Sequence, residues 1–410
     1  MPVDVRTVAP DDLEAWLLAA AIGFHRPDGG GPDEVEARRP YLILDRTWGA
    51  FDGDRVVATL RAFPTEVTVP GGGLCSTTAI TAVTTLASHR RRGLASRLMR
   101  SELDAAKERG EHTAVLIAAE YPIYGRFGFG PATWQQTWTV EATVARPRRP
   151  APPGSVEYLD EATSRALAPE LAEQARRSRP GDIGWSDETW DRHFGTYHLP
   201  SWPEHKKFFS VLARDAAGTP IGLVHWRYAE KWENWLPVGS IEIELMIAEQ
   251  GDSYELLWNF LLGVDLVKTV VADARRVDEP LGWLLDDARR AQASGRNDFL
   301  WLRPLDTAAF LTARRYAASD RVVLEVTDPL GLAGGRFVLD GGPDGASCAP
   351  TTASPDLSLS IGTLSSISLG GVRLVELAAA GRVDEHTPGA TARVDLLFAT
   401  ATAPWCSRMF

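Results

Sequence analysis

Cysteine is scarce in this chain. Cys75, Cys348 and Cys406 are the whole set among 410 residues. An odd, widely spaced trio builds neither a disulfide framework nor a metal knuckle, and it fits a reducing cytoplasm. The eight histidines form no HExxH motif and no Cys/His cluster, so no metal is expected. A GxxxxGK[ST] loop and a GxSxG elbow are also missing. The first absence excludes a P-loop; the second leaves serine-hydrolase chemistry without support. Apolar runs stay short of the roughly 18 residues that span a bilayer. The acidic start MPVDVRTVAPDDLE has no apolar h-region, so no signal peptide is read. Positive charge is in deficit as well. A net charge of −11 disfavours nucleic acid and anionic membranes as partners and favours cationic ligands such as amines.

What is present is core-forming material. Hydrophobic residues make up 44% of the chain, enough for two or three domains of about 150 residues each. The clearest break is 146–154, RPRRPAPPG, whose four prolines cannot sit inside a helix or central strand. Before it, a strand is predicted at 3–8 and a helix from residue 11, capped by Asp11 or Asp12. Antiparallel strands follow at 47–51, 55–62, 65–69 and 74–85. A helix over 93–108 ends at Gly110, and an apolar, parallel strand lies at 114–119. A helical turn at 122–127 and a last strand at 134–140 complete a mixed α/β unit. A second α/β unit runs from 151 to about 300. It has strands at 156–159, 208–214, 221–228 and 240–248 and helices at 161–177 and 254–260. From 301 a smaller α+β texture begins. The expected domains are therefore 1–150, 151–300 and 301–410.

The most informative segment is ITAVTTLASHRRRGLASRLMR, residues 80–100. A β-branched strand stops at a polar turn; Arg90, Arg91, Arg92 and Gly93 follow; then an amphipathic helix starts. Such a corner aims unpaired N–H groups and positive charge at one point, as a pyrophosphate requires. Ser88 is a candidate cap or turn residue. Gly93 lets a ligand approach the backbone. His89 either lines this loop or is a solvated turn residue. A bare RxxGxA string recurs by chance, but its place between strand and helix makes it informative.

Arg90-Arg91-Arg92-Gly93-Leu94-Ala95 resembles the R/Q-x-x-G-x-G/A signature of the GCN5-related N-acetyltransferases (GNAT). The string IYGRFGFGPAT at 123–133 is similar to the Eis (enhanced intracellular survival) branch of that family. The resemblance implies tandem GNAT folds, α/β (α+β) in class, followed by a sterol-carrier-protein-like domain. It implies acetyl-CoA as acyl donor and no metal. By position, Val83, Thr84 and Thr85 would meet pantetheine through their backbone. Arg90, Arg91, Arg92, Gly93, Leu94, Ala95 and Ser96 would hold the pyrophosphate, and Ala119 and Glu120 would flank the acyl arm. Tyr124 would be the general acid and the terminal carboxylate of Phe410 the general base. Taken from the residues alone, Tyr124 reads equally as a packing aromatic. The apolar end APWCSRMF reads as a docking tail rather than a frayed one.

The implied reaction is acetyl transfer to a primary amine of the aminoglycoside, lysine or polyamine type, by a cytoplasmic homo-oligomer, a hexamer in this branch. Substrate-facing residues are expected in 24–26, at Trp48 and in 117–121. Ile117, Ala119 and Tyr121-Pro122 are apolar where the branch carries more polar or glycine residues. The second unit has no RxxGxG string; Glu249, Gln250, Gly251 and Asp252 stand where a pyrophosphate would sit, so no CoA is expected there. Its tryptophans, among them Trp185, Trp190, Trp202, Trp226, Trp232 and Trp235, are read mostly as core. Cys75 is read as filler. The alternative reading is a non-catalytic CoA- or lipid-binding module built on a former acetyltransferase.

Overall fold

The computed structural model describes residues 3–27, 29–199, 201–248 and 251–410. The first part holds β1 (Asp4–Thr7), α1 (Leu13–Gly23), α2 (Pro32–Arg38), β2 (Thr47–Asp52), β3 (Arg55–Thr68), β4 (Leu74–Thr85), α3 (Leu94–Glu108), β5 (Thr113–Ile117), α4 (Tyr121–Tyr124) and β6 (Gly130–Pro131). Next come β7 (Trp134–Glu141), β8 (Gly154–Leu159), α5 (Glu161–Arg177), α6 (Asp187–Phe194), β9 (Phe209–Asp215), β10 (Pro220–Ala229), the small hairpin β11 (Trp232–Glu233) and β12 (Leu236–Pro237), β13 (Gly239–Ala248), α7 (Asp252–Leu262), β14 (Val267–Arg275), β15 (Ala291–Asp298) and β16 (Leu300–Pro304). The last part holds α8 (Thr307–Thr312), β17 (Asp320–Thr327), β18 (Gly335–Gly342), β19 (Gly345–Pro350), β20 (Leu357–Ser360), α9 (Ile361–Ile367), α10 (Leu374–Ala379), β21 (Val383–Glu385) and α11 (Ala390–Phe398).

The first sheet runs β1-β2-β3-β4-β5-β16-β6 and the second β15-β7-β14-β13-β10-β9-β8. Read from its β8 edge, the second repeats the layout of the first, with β13 and β14 in the places of β4 and β5. Each has one parallel pair at that position. The strand predicted at 134–140 does not close the first unit. Instead, β7 pairs with β14 and β15 of the second sheet. In return β16 pairs with β5 and β6 of the first. Alternating side chains tell which residues share a face, not which sheet supplies the neighbouring strand.

Two other local expectations change. Residues 55–62 and 65–69 form one strand, β3, through Pro64. The pairing of β2 with β3 ends at Arg61, so Pro64 pairs with β4 alone, an edge position at which a strand tolerates proline. Asp12 stands at the α1 N-cap without bonding that helix's own N–H groups; its carboxylate pairs with Arg6 and closes a capping box on the preceding 3-10 turn Pro10–Asp12, accepting from Ala9 N–H at 2.9 Å.

α3 forms because Leu94, Leu98, Met99, Leu103 and Ala106 make one buried stripe uninterrupted by Gly or Pro. That stripe covers one face of the first sheet, against Leu60, Ile80, Leu116 and Trp301. Each fully buried leucine there contributes about 2 kcal/mol. On the other face α1 packs at the β2–β3 end. The third domain packs toward β5 and β16, joining Val67, Ala79, Val115 and Leu302 to Leu324, Ile361 and Leu364 in one core. Among the described residues, no helix is long and apolar enough to cross a membrane.

α9 belongs to the third domain yet touches the first, at the Gly128 carbonyl just past Tyr124. Its cap is Ser360, whose hydroxyl accepts from Thr363 N–H at 3.1 Å. Ser360→Ala is expected to cost about 1 kcal/mol of stability, read as a small fall in melting temperature; an unchanged melt would mean that the cap is dispensable.

Candidate active site

β4 and β5 run parallel only from Thr77–Thr113 to Ile80–Leu116. β4 then continues to Thr85 paired only with β3, while β5 ends at Ile117. The sheet therefore opens into a notch. At the same place β4 carries a bulge. Thr59 faces Thr84 and Arg61 faces Thr81, so β4 spends one extra residue, and Ala82 sits at φ +52°. A non-glycine residue in that region costs about 1–2 kcal/mol, and Thr59 helps hold it. Its hydroxyl lies 2.8 Å from both the Ala82 carbonyl and the Thr84 hydroxyl. A bulge re-aims backbone groups, here those of Val83, Thr84 and Thr85 along the notch. A Cβ on Gly23 would strike Thr84, so the end of α1 lies against the bulge and presents Phe24, itself 44% exposed.

Past the notch, Arg90, Arg91, Arg92 and Gly93 are all exposed. Among the described residues the arginines have no carboxylate partner; Arg92 alone reaches a protein group, the Ser88 carbonyl at 3.5 Å. Gly93 sits at φ +75° as the α3 N-cap, and no side chain caps the helix. The space where its Cβ would lie is empty. Leu94 is buried while Ala95 and Ser96 are half-buried, so Leu94 can serve a ligand only through its N–H. An open helix N-terminus ringed by unpaired arginines fits a diphosphate. Ser88 is not the cap. Its hydroxyl is 2.8 Å from His89 Nδ1, and His89 Nε2 is 3.2 Å from Asp52. His89 is therefore a buried brace of the turn, not a solvated residue.

Ala119 and Glu120 are exposed just beyond β5. Tyr124 ends α4, and the 3-10 turn Gly125–Phe127 and the left-handed Gly128 follow. Its ring is buried edge-on to Phe129, centroids 6.4 Å apart. Burial, then the Glu120 charge, pushes the Tyr124 phenol above its ordinary pKa. No protein group bonds its hydroxyl among the described residues, and that oxygen is not among the sealed, unpartnered polar atoms. The oxygen is thus not sealed in the core. The loop behind the ring rests on α9. Ser365 Oγ donates to the Gly128 carbonyl at 3.2 Å, and a Cβ on Gly130 would collide with Gly362 and Ser366.

The chain end docks, as its composition suggests. The Trp405 N–H donates to the Pro180 carbonyl, and Ser407 donates twice to Asp182. Phe410 packs edge-on to Phe63 of β3, centroids 5.6 Å apart, on the face that also carries Ala79 and Ile117. Tyr124 packs on the opposite face with Ile80 and Leu116. The notch is the opening between these two faces.

Other expected residues sort themselves. Trp48 spends its indole N–H on Glu102 at 2.7 Å and packs toward α3, so it does not face the notch. Cys75 is buried, and that burial pushes its thiol to about 12; it is filler. Trp190 and Trp226 are core, whereas Trp232 and Trp235 are exposed. Trp185 and Trp190 line a cavity of about 220 Å³ whose walls come entirely from the second domain and the tail. Glu249 and Gln250 lie outside the described residues. From Gly251 onward the second domain offers Asp252 and Glu255 in the first turn of α7 and no basic residue there. Among the described residues, no group of three metal-ligating side chains forms. Sequence reasoning missed α6 and the segment 179–183, which touch the tail; neither carries a motif.

Comparison with known proteins gives three matching family models. Residues 4–132 and 181–303 match two acetyltransferase (GNAT) domain models, and 307–407 match a sterol carrier protein domain. An uncharacterized N-acetyltransferase of Streptomyces avermitilis is 41% identical, over all of this chain and 99% of its own. The N-acetyltransferase Eis of Mycobacterium tuberculosis is 31% identical over 98% of each chain. The crystal structure of Eis1 from Mycobacterium abscessus superposes with a TM-score of 0.88 at 29% identity, covering 99% of this chain and 100% of its own.

Proposed function

The chain belongs to the Eis branch of the GCN5-related N-acetyltransferases, and from that premise we propose that it moves an acetyl group from acetyl-CoA directly to a primary amine of a small acceptor. The observation that carries this reading is the open corner of Arg90, Arg91, Arg92 and Gly93 at the mouth of the notch. Its N–H groups and guanidiniums would hold the CoA pyrophosphate, with Ala95 and Ser96 in the first helical turn. The bulged backbone of Val83, Thr84 and Thr85 would line the pantetheine arm, and Ala119 and Glu120 would flank the acyl end. Acetyl-CoA supplies an activated acyl carbon; the chain supplies placement and protons.

An alkylamine has a pKa near 10.4 and is mostly protonated at neutral pH. In this proposal the terminal carboxylate of Phe410 attracts the ammonium and accepts its proton, directly or through water. The freed nitrogen attacks the acyl carbon, the C–S bond breaks as Tyr124 donates a hydrogen bond toward the departing sulfur, and the nitrogen's surplus proton passes through water to the thiolate, leaving the amide and free thiol. The domain limits 1–150, 151–300 and 301–410 belong to the same proposal. So do a cytoplasmic setting, a homo-oligomer of hexamer type and acceptors of the aminoglycoside, lysine or polyamine class. The net charge of −11 supports a cationic acceptor. The exposed Trp232, Trp235 and Leu236 on the β11–β12 hairpin support a subunit contact.

Free-thiol release from acetyl-CoA across a panel of amines tests the reading. Release is expected with primary amines and not with their N-acetylated forms; release that ignores the amine would overturn it. Replacing Arg90, Arg91 and Arg92 together with alanine is expected to raise KM for acetyl-CoA about tenfold, since each exposed charge–phosphate contact is worth a fraction of the 1.5–3 kcal/mol of a sheltered one. Because these groups hold a non-reacting part of the donor, kcat should change little.

A further inference from the structure

We propose that the notch of the second domain has become a socket for the tail, and that Asp182, Arg179 and Arg275 are positioning residues that set where Phe410 lies. The inference rests on the reading that Phe410 serves the reaction.

The two sheets share more than strand order. β13 carries an extra residue where β4 does: His225 faces Leu245, and Trp226 faces Ile243. The β13–β14 pairing stops at Ile243–Ala272, so the second sheet opens as the first does. In the first domain the free edge of β4 is left for a ligand. In the second, guanidiniums take the corresponding carbonyls: Arg275 donates to Met246 and Arg179 to Ala248. Trp405 packs against both. Its ring has the Arg179 guanidinium at 5.4 Å and that of Arg275 at 5.0 Å. Its indole N–H donates to the Ala274 carbonyl at 2.8 Å, where β14 turns through φ +53°. Trp405 and its two arginine neighbours thus take one part of the opening, and a cavity of about 220 Å³ lined by Arg179, Asp182, Met246 and Ser407 lies beside them.

Asp182 joins this socket to the first domain. Its backbone carbonyl accepts from Thr68 N–H of β3 at 2.9 Å. Its carboxylate Oδ1 accepts from the N–H and the hydroxyl of Ser407 at 2.9 and 2.8 Å. One residue thus fixes the register of the tail against β3, the strand that carries Phe63 and meets Phe410. A slip of one residue would carry the end about 3.3 Å along. Trp185 adds a bond to the Ser407 hydroxyl at 3.0 Å, and Arg408 reaches Thr189 of α6. A displacement near 1 Å at a reacting group costs up to about a hundredfold in rate.

The experiment compares Asp182→Ala, Asp182→Asn and Ser407→Ala in the full chain, each with and without two glycines added after Phe410. Asp182→Ala is expected to lower kcat about tenfold, with KM for acetyl-CoA unchanged and partial rescue by Asp182→Asn, which keeps an acceptor oxygen. In the glycine-extended chain, whose carboxylate is already misplaced, the same substitution should cost nothing further. An equal loss in both backgrounds would mean general damage and overturn the inference. Full kcat in Asp182→Ala, when the extension alone is damaging, would overturn it while leaving the Phe410 reading intact. Should the extension itself cost nothing, the Phe410 reading fails; amide exchange at 405–410 then decides whether Asp182 holds the tail. Faster exchange in Asp182→Ala upholds the socket, and unchanged exchange removes it. Ser407→Ala supplies the same comparison if Asp182→Ala does not fold.

Discussion

Adding two glycines after Phe410 is expected to lower kcat by about a hundredfold or more, within the 10²–10⁴ that a placed general base contributes. The extension keeps every side chain and every tail contact through Arg408. It moves only the carboxylate, by about 3.5 Å for each added residue. KM for acetyl-CoA should stay within about twofold, because the Arg90–Gly93 corner is untouched. Phe410→Leu makes the contrasting change: it keeps the carboxylate and loses the edge-on contact with Phe63. Such an aromatic pair is worth about 0.5–1.5 kcal/mol beyond its area, so that variant should lose at most about tenfold. If the leucine variant proves worse than the extended chain, the ring and not the carboxylate is what matters. If the extended chain keeps full kcat, the proton leaves the amine by another route.

The contrast between corner and tail shows what a sequence can carry. The Arg90–Gly93 corner is local: strand, turn, charge and glycine are adjacent in the chain, so backbone stereochemistry writes it into consecutive letters. α3, β4 and β5 are legible for the same reason. The exchange of β7 and β16 is not legible, since both strands alternate as any strand would, and partner choice across about 160 residues leaves no local mark. The bulge at Ala82 is hidden too. Alanine carries none of the glycine signal that advertises a left-handed residue, and Thr59, 23 residues away, helps hold it there. The tail is legible as apolar, but its socket is not. Asp182 reads as an ordinary loop acid until Thr68 and Ser407 are seen on either side of it.

Tyr124→Phe is expected to lower kcat by about tenfold to a hundredfold, by a factor that does not vary between about pH 7 and 9.5. The direction of the phenol's pKa decides both parts. Burial and the Glu120 charge raise it above the ordinary value of about 10, while a departing thiol has a pKa near 8.5. A thiolate therefore does not hold the tyrosine's proton at equilibrium; Tyr124 contributes chiefly by donating a hydrogen bond as charge gathers on sulfur. A hydrogen bond to a charged group is worth about 1.5–3 kcal/mol, which sets the expected factor and separates this role from complete proton transfer. The raised pKa also fixes the sign of the pH effect. A group titrating upward loses its proton only at more alkaline pH, so Tyr124 stays protonated throughout the accessible range. The wild-type to Tyr124→Phe ratio should accordingly be flat. A ratio that declines as pH rises would mean a phenol titrating within the range. A ratio of one at every pH would return Tyr124 to the role of a packing ring beside Phe129. Glu120→Gln separates the two sources of the shift, since it removes the charge and leaves the burial. Its kcat should equal or exceed that of the parent, because a less elevated phenol donates more strongly to the leaving sulfur.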